Sequence, residues 1–296
     1  MERNQVEPSV LVLMTAYNGE NWINLQVETI LQQKNINLKL FISVDLSTDA
    51  TYEKCITLAQ IHENITVLEY GERFGGAAQN FFRLIRDVDF EPFDYVAFAD
   101  QDDIWFDSKL SHAILQLNER KADAFSSDVI AFWENGKQRL VKKSYSQKKY
   151  DYIFEAAGPG CTYVFRQEPF SLFKQFLLNN QQLSQKLALH DWTAYAFFRS
   201  NGMKWWIDDK PLMLYRQHAK NQVGYNYGLK AIISRLSLIQ KKWYRNQILL
   251  IMQVINLSKA NDFILKRSFL IKNFYQLRRR TRDAMFLLVM IILGVF

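Results

Sequence analysis

Cysteine is nearly missing from this 296-residue chain: only Cys55 and Cys161 occur. Two cysteines cannot build a disulfide framework, which points to a reducing compartment. Proline (5) and glycine (11) are also scarce, which argues against disorder and low complexity. No internal repeat is present, and no apolar run is long enough to cross a bilayer. "VLVLMTAY" near the start reads as a buried strand, and the thirteen-residue "AMFLLVMIILGVF" at the end would form a helix of about 20 Å against a hydrocarbon core of about 30 Å. "MERNQVEPSV" has neither a basic n-region nor an apolar h-region, so no signal peptide is expected. G-x-G-x-x-G and G-x-x-x-x-G-K-[ST] are both absent, which leaves dinucleotide hydride transfer and P-loop phosphoryl transfer unsupported. The lack of H-E-x-x-H, together with two distant cysteines, argues against a zinc site.

Hydrophobic residues make up 49% of the chain and aromatics 15%, enough for one large domain with a real core, alone or with an appendage. The net charge of +7 is unevenly placed. Residues 227–283 hold 13 Lys/Arg against Asp262 and Asp283, a local balance of +11, so the remainder carries −4. Two parts with different tasks are expected: a body over 1–226 and a basic helical extension over 227–296.

In the first third, apolar strands alternate with amphipathic helices. Strands are expected at Val10–Tyr17, Lys39–Leu46, Ile65–Tyr70 and Tyr95–Ala99. Helices are expected at Glu20–Gln33, Ala50–Glu63, Ala77–Arg86 and Ser108–Asn118. This order predicts an α/β fold with a mostly parallel sheet covered on both faces. Ligands of such sheets bind beyond the carboxyl ends of the strands, where Tyr17, Asp45 and Asp100 fall.

The fourth strand runs directly into acid: "DYVAFADQDDIWFDSKL", Asp94 to Leu110. Carboxylates this close repel one another and need a positive partner. Mg²⁺ or Mn²⁺ fits, since hard cations take one or two carboxylates plus substrate phosphates. The same residues also read as a solvated acidic turn with Asp107 capping the next helix.

Further segments resolve the choice. "VLVLMTAYNGENWINLQVETIL", "ISVDLSTDAT", "FGGAAQNFFRLI", "YVAFADQDDIWFDSKL", "GPGCTYVFR", "LHDWTAYAFF" and "YRQHAKNQVG" occur in this order. Together they resemble the family 2 glycosyltransferases of the GT-A fold, most closely the bacterial branch with the D-Q-D-D-I-W signature, which includes many rhamnosyltransferases of surface-polysaccharide assembly. The resemblance covers roughly Ser9 to Gly224. It implies a nucleotide-binding half over about 8–112 and an acceptor half over 113–226. It also implies roles: Thr15 and Tyr17 at the nucleotide base, with Tyr17 stacking; Asp100 at the ribose or donor sugar, with Gln101 and Arg216 also on the donor; Asp102 and His218 on the metal. Asp191 of "HDW" matches the catalytic base, and His190 and Trp192 beside it are assigned to the acceptor, with a plain core aromatic as the alternative for Trp192. Cys161 is expected to be a small buried residue.

One departure stands out. The family's D-D-G-S-x-D reads Val44-Asp45-Leu46-Ser47-Thr48-Asp49 here, so either Asp45 takes over base recognition or recognition differs. A catalytically silent scaffold that binds nucleotide sugar remains an alternative on that account. The Q-x-x-R-W motif of processive synthases is absent, which favours one sugar per encounter.

The expectation is an inverting, metal-dependent glycosyltransferase. It would move one sugar from a nucleotide diphosphate donor to a lipid-linked surface glycan, with rhamnose from dTDP-rhamnose first and a UDP-hexose as alternative. The basic extension suggests a membrane-surface patch, at about 1 kcal/mol per Lys or Arg near anionic headgroups, with the apolar tail in the interface. The expected location is peripheral, on the cytoplasmic face of the bacterial inner membrane. No nucleic-acid motif supports the other reading of a basic face.

Overall fold

A computed structural model describes residues 7–218, 242–256, 264–294 and 296. Its strands are β1 (Ser9–Ala16), β2 (Asn37–Val44), β3 (Ile65–Val67), β4 (Tyr95–Asp100), β5 (Ile104–Trp105), β6 (Ala124–Ser127), β7 (Val129–Phe132), β8 (Gln138–Val141), β9 (Val164–Arg166), β10 (Trp205–Asp208) and β11 (Met213–Arg216). The helices are α1 (Ile23–Leu31), α2 (Thr51–Ile61), α3 (Ala77–Asp87), α4 (Lys109–Arg120), α5 (Asp151–Phe154), α6 (Gln167–Asn179), α7 (Gln181–Ser184), α8 (His190–Ser200), α9 (Trp243–Val254), α10 (Arg267–Lys272) and α11 (Thr281–Ile292).

Seven strands form the main sheet in the order β10-β6-β9-β4-β1-β2-β3. β1 pairs in parallel with β2 and β4, and β9 is antiparallel to both β4 and β6. Because side chains alternate along a strand, β1 is apolar throughout and feeds two cores. Leu11 and Leu13 join Val96 and Phe98 on one face; Val10, Val12 and Met14 join Leu40 and Ala97 on the other. The register sets Thr15 opposite both Ser43 and Asp100, so three strands end side by side.

A second sheet, β5-β11-β7-β8, crosses the end of the first. The strand-like "AFSSDVIAFW" proves to be two strands in different sheets. They part at Asp128, whose buried carboxylate turns from the ladder to accept from the Lys143 and Ser144 backbone N–H groups. β10 lies at a sheet edge, in "WWID", which carries no strand alternation.

The described helices of the C-terminal extension do not stand apart. Ile248, Ile251, Leu270, Leu287 and Ile291 belong to the same hydrophobic cluster as Phe98 and Phe165. Residues 219–241 and 257–263, which hold part of the expected basic helices and the end of "YRQHAKNQVG", lie outside the described residues. No helix among the described residues is long and apolar enough to cross a membrane.

Candidate active site

The two sheets bring the acidic turn and "YRQH" together. β5 follows the turn directly and pairs antiparallel with β11, Ile104 opposite Leu214 and Trp105 opposite Met213. That register puts residues more than a hundred positions apart within bonding distance. The Arg216 N–H donates to Asp103 Oδ1 at 3.1 Å and Arg216 Nε to the Asp102 carbonyl at 2.7 Å. His218 Nε2 lies 2.7 Å from Asp102 Oδ2, and its ring stacks on Trp22 at 4.1 Å between centroids. Arg216, expected on the donor, thus braces the main chain of the acidic turn. Trp22 carried no sequence signal beyond its aromatic character.

The carboxylates behave as a crowded group. Burial, then Asp102, then Asp191 push the Asp100 carboxyl up to about 7, against a bond from the Cys161 thiol. Asp103 is pushed well above the usual range, by burial first and then by Asp102 and Asp100. Beneath them lies Lys109, 1% exposed, with its ammonium 3.5 Å from the centre of the Trp105 ring. Burial lowers it to about 7, while Cys161 and Asp103 favour its charge. Part of the positive partner that the acidic turn needs is therefore internal. Asp107 does not cap α4: it pairs with Lys34, and Ser108 occupies the cap position.

Asp191 arrives from the other half of the chain. It sits in the first turn of α8, where its Oδ1 accepts from the Trp192 N–H at 2.7 Å and a carboxylate suits the helix dipole. Burial raises it to about 6, opposed by that bond and by Lys143. The link to Asp100 is the 3₁₀ turn Gly160–Thr162, which leads into β9. A Cβ at Gly160 would overlap His190 Nε2 and lie 3.3 Å from the Asp191 Cβ. The next residue, Cys161, places its sulfur within 4.8 Å of carboxylate oxygens of Asp100 and Asp103. Only glycine leaves room for α8 to come this close. The buried thiol is pushed well above its ordinary range, by burial first, which agrees with a small packed residue rather than a nucleophile.

Other expected site residues take different work. The Gln101 side chain clasps the Tyr17 backbone, accepting from its N–H and donating to its carbonyl, both at 2.7 Å. It positions Tyr17, which is 47% exposed just beyond β1 and presents its ring to solvent. Thr15 is buried two residues earlier. Asp45 accepts from the N–H groups of Leu46, Phe74 and Gly75 at 2.8, 2.9 and 3.0 Å, so it holds the loop before α3. His190 and Trp192 are corrected. His190 is stacked on Phe81 and lowered to about 3 by burial. Trp192 is 3% exposed, stacks on Tyr244 and donates from Nε1 to the Tyr152 carbonyl. Neither offers an acceptor a face, because the apolar side of α8 must pack to fix Asp191.

The donor set at the acidic turn suits a hard cation. Asp102 Oδ2 and His218 Nε2 stand close enough to share one, with further carboxylate oxygen from Asp100 nearby. Asp100, Asp103 and Cys161 form a second set of close donor atoms, all within 4.8 Å of one another, with Lys109 buried beside them.

Comparison with known proteins agrees with this architecture. Residues 11–181 match the model of "Glycosyl transferase family 2". The chain is 44% identical over 292 residues to a dTDP-rhamnosyl transferase, RfbG, of Shigella flexneri, covering 96% of this chain and 100% of the relative. It is 24% identical over 157 residues to WfgD of Escherichia coli, a UDP-Glc:alpha-D-GlcNAc-diphosphoundecaprenol beta-1,3-glucosyltransferase, covering 52% and 58% of the two chains. S. aureus TarS residues 1–349 in complex with UDP-GlcNAc superpose with a TM-score of 0.60 at 15% identity, over 96% of this chain and 81% of that one. The mannosyltransferase PcManGT of Pyrobaculum calidifontis, in complex with GDP-Man and Mn2+, gives 0.51 at 15%, over 97% and 85%. The last two speak for the fold alone. By its family model and by its full-length relative, this chain is a glycosyltransferase and belongs to glycosyl transferase family 2.

Proposed function

We propose that the protein is an inverting, metal-dependent glycosyltransferase that adds one rhamnose from dTDP-rhamnose to a lipid-linked bacterial surface glycan. The observation that carries this reading is the approach of Asp191, on α8, to Asp100 across the Gly160 turn, with the Asp102–His218 pair on the same acidic turn as Asp100. One carboxylate on the acceptor side and one charge-stabilising group on the donor side are what inverting displacement needs. The acceptor hydroxyl attacks the anomeric carbon and gives its proton to Asp191. The bond from that carbon to the diphosphate oxygen breaks, and the nucleoside diphosphate leaves with the electron pair. Asp102 and His218 would hold Mg²⁺ or Mn²⁺, which when bound neutralises charge on the diphosphate. Tyr17 offers a ring for the base. The name of the 44% identical relative supports dTDP-rhamnose; the UDP-glucose relative and the lipid diphosphate in its name support a UDP-hexose alternative and a lipid-linked acceptor.

The test is transfer from a panel of dTDP- and UDP-sugars to a lipid-linked acceptor with Mn²⁺, with Mg²⁺ and with chelator. We expect transfer from dTDP-rhamnose that chelator abolishes and Asp102→Ala lowers at least about 10²-fold, as loss of a charge-stabilising group does. Transfer undiminished by chelator would overturn metal dependence. Nucleotide binding without turnover of any donor would favour the silent scaffold.

Membrane contact at the cytoplasmic face belongs to the same reading. α11 buries Ala284, Leu287 and Ile291, yet leaves Met285, Phe286, Val289 and Ile292 exposed, with Leu293 exposed just beyond its end. Lys266, Arg267, Lys272 and Arg282 lie exposed nearby in sequence. An apolar stripe accompanied by cations suits an anionic lipid surface. Co-sedimentation with anionic vesicles should fall at least about tenfold in a Phe286→Glu/Leu293→Glu variant, given about 0.8 kcal/mol per buried CH₂. Unchanged sedimentation would remove this face from membrane contact.

A further inference from the structure

We propose that Lys143 forms an anion subsite on the acceptor side of Asp191, one that takes the diphosphate of a lipid-linked acceptor. The inference rests on the glycosyl-transfer reading above and deepens it.

Lys143 follows β8 and lies along the G-P-G turn. A Cβ at Gly158 would meet the Lys143 Cγ at 3.4 Å, while one at Gly160 would meet the Asp191 Cβ at 3.3 Å. The two glycines of one turn therefore separate Lys143 from Asp191, and Lys143 is among the charges that favour ionised Asp191. The turn is held from behind by the C-terminal extension. Arg279 Nη2 donates to the carbonyls of Ala156 and Ala157 at 2.7 and 3.1 Å, immediately before Gly158.

Among the described residues Lys143 Nζ has no bonded partner, while Arg278, Arg279, Glu155 and Asp283 around it each have one. Arg279 is bound to Asp151, and Arg278 to Glu155 and the Tyr244 hydroxyl. Of the acids facing Lys143, Glu155 is held by Arg278 and Arg279, and Asp283 by Arg282. Lys143 Nζ itself makes no hydrogen bond or ion pair among the described residues. Burial lowers its pKa, and Arg279 and then Arg278 add to that effect against Glu155 and Asp283. A half-buried ammonium in that field is stabilised by an arriving anion.

The donor diphosphate is assigned to Asp102 and His218, so an anion at Lys143 belongs to the other substrate. α11 begins close by, two residues after the Arg279 that bonds the Ala156 and Ala157 carbonyls, and its exposed apolar stripe runs on from there. An acceptor whose diphosphate bridges a sugar and a hydrocarbon chain matches both features. Its sugar would lie toward Asp191 and its chain toward α11.

The test is calorimetric titration of the full chain, saturated with dTDP or UDP and Mn²⁺, with geranyl diphosphate, geraniol and inorganic pyrophosphate. We expect geranyl diphosphate to bind, geraniol to bind far more weakly, and Lys143→Gln to weaken geranyl diphosphate at least about tenfold, the scale of one charge-assisted hydrogen bond. Lys143→Arg should restore most of the affinity, and dTDP binding should be the same in all variants. Absence of geranyl diphosphate binding overturns the inference, as does equal affinity in Lys143→Gln. A parallel loss of dTDP affinity overturns it too, by moving Lys143 to the donor. Pyrophosphate binding as tightly as geranyl diphosphate would reduce the site to a free-anion site and overturn the lipid assignment. Binding that depends on Lys143 in a protein that transfers no sugar would keep this inference and sink the catalytic reading.

Discussion

Asp191→Asn is expected to lower kcat for sugar transfer by about 10²- to 10⁴-fold, the usual contribution of a general base. Asn preserves the shape of the side chain and can still accept from the Trp192 N–H at the start of α8, so nucleotide affinity should stay within about twofold if only the proton acceptor is lost. The pH profile gives an independent check. Burial holds the Asp191 carboxyl up to about 6, and a base works only when ionised. Wild-type kcat/KM should therefore rise with pH through about 6 and fall away below it as Asp191 takes up a proton. The residual activity of the Asn variant should lack that acid limb. An Asn variant within tenfold of wild type would show that another group accepts the proton.

A second large effect lies away from the chemistry. Asp151→Ala is expected to cost about 3–5 kcal/mol of stability, the range for breaking a buried ion pair from one side. Asp151 is fully buried at the start of α5. It accepts from the Tyr195 hydroxyl at 2.8 Å, from Arg199 Nη1 at 3.2 Å and from Arg279 Nη1 at 3.4 Å. Alanine would leave two guanidinium groups in the interior without their shared counter-charge. Urea unfolding of Asp151→Ala beside Arg279→Met and the double variant measures this directly. The double variant should recover part of the loss, because the Arg279 cation, left with only the longer contact to Glu155 at 4.0 Å, is gone. A loss below about 1 kcal/mol in Asp151→Ala would mean that water reaches the guanidiniums and screens them. The same network joins the C-terminal extension to α8, so its failure should also loosen the turn that presents Asp191.

The fold was largely legible in the sequence because its first half is built from local patterns. β1 and β4 are continuous apolar runs closed by polar residues, and α3 places its apolar residues on one face; such periodicities need no knowledge of the rest of the chain. Prediction was weaker where a segment served two sheets, as at Asp128, or sat at an edge, as in β10, since neither leaves a regular period.

The sequence by itself determined the chemistry types at the site: the acidic turn at the end of β4, the carboxylate at a helix start, and a histidine after a late strand. The division of labour among neighbours depended on contacts. Asp45, Gln101 and Arg216 are polar residues in the right segments, yet each has a side-chain bond to backbone: the loop before α3, Tyr17 and the acidic turn. Trp192 flanks Asp191 but turns inward, because successive helical residues point about 100° apart and only one of the two can face the crevice. Lys109 and Lys143 read as ordinary solvated lysines in one dimension. What singles them out is burial beside carboxylates or without a partner, which exists only once β5 has paired with β11 and the extension has closed on the G-P-G turn.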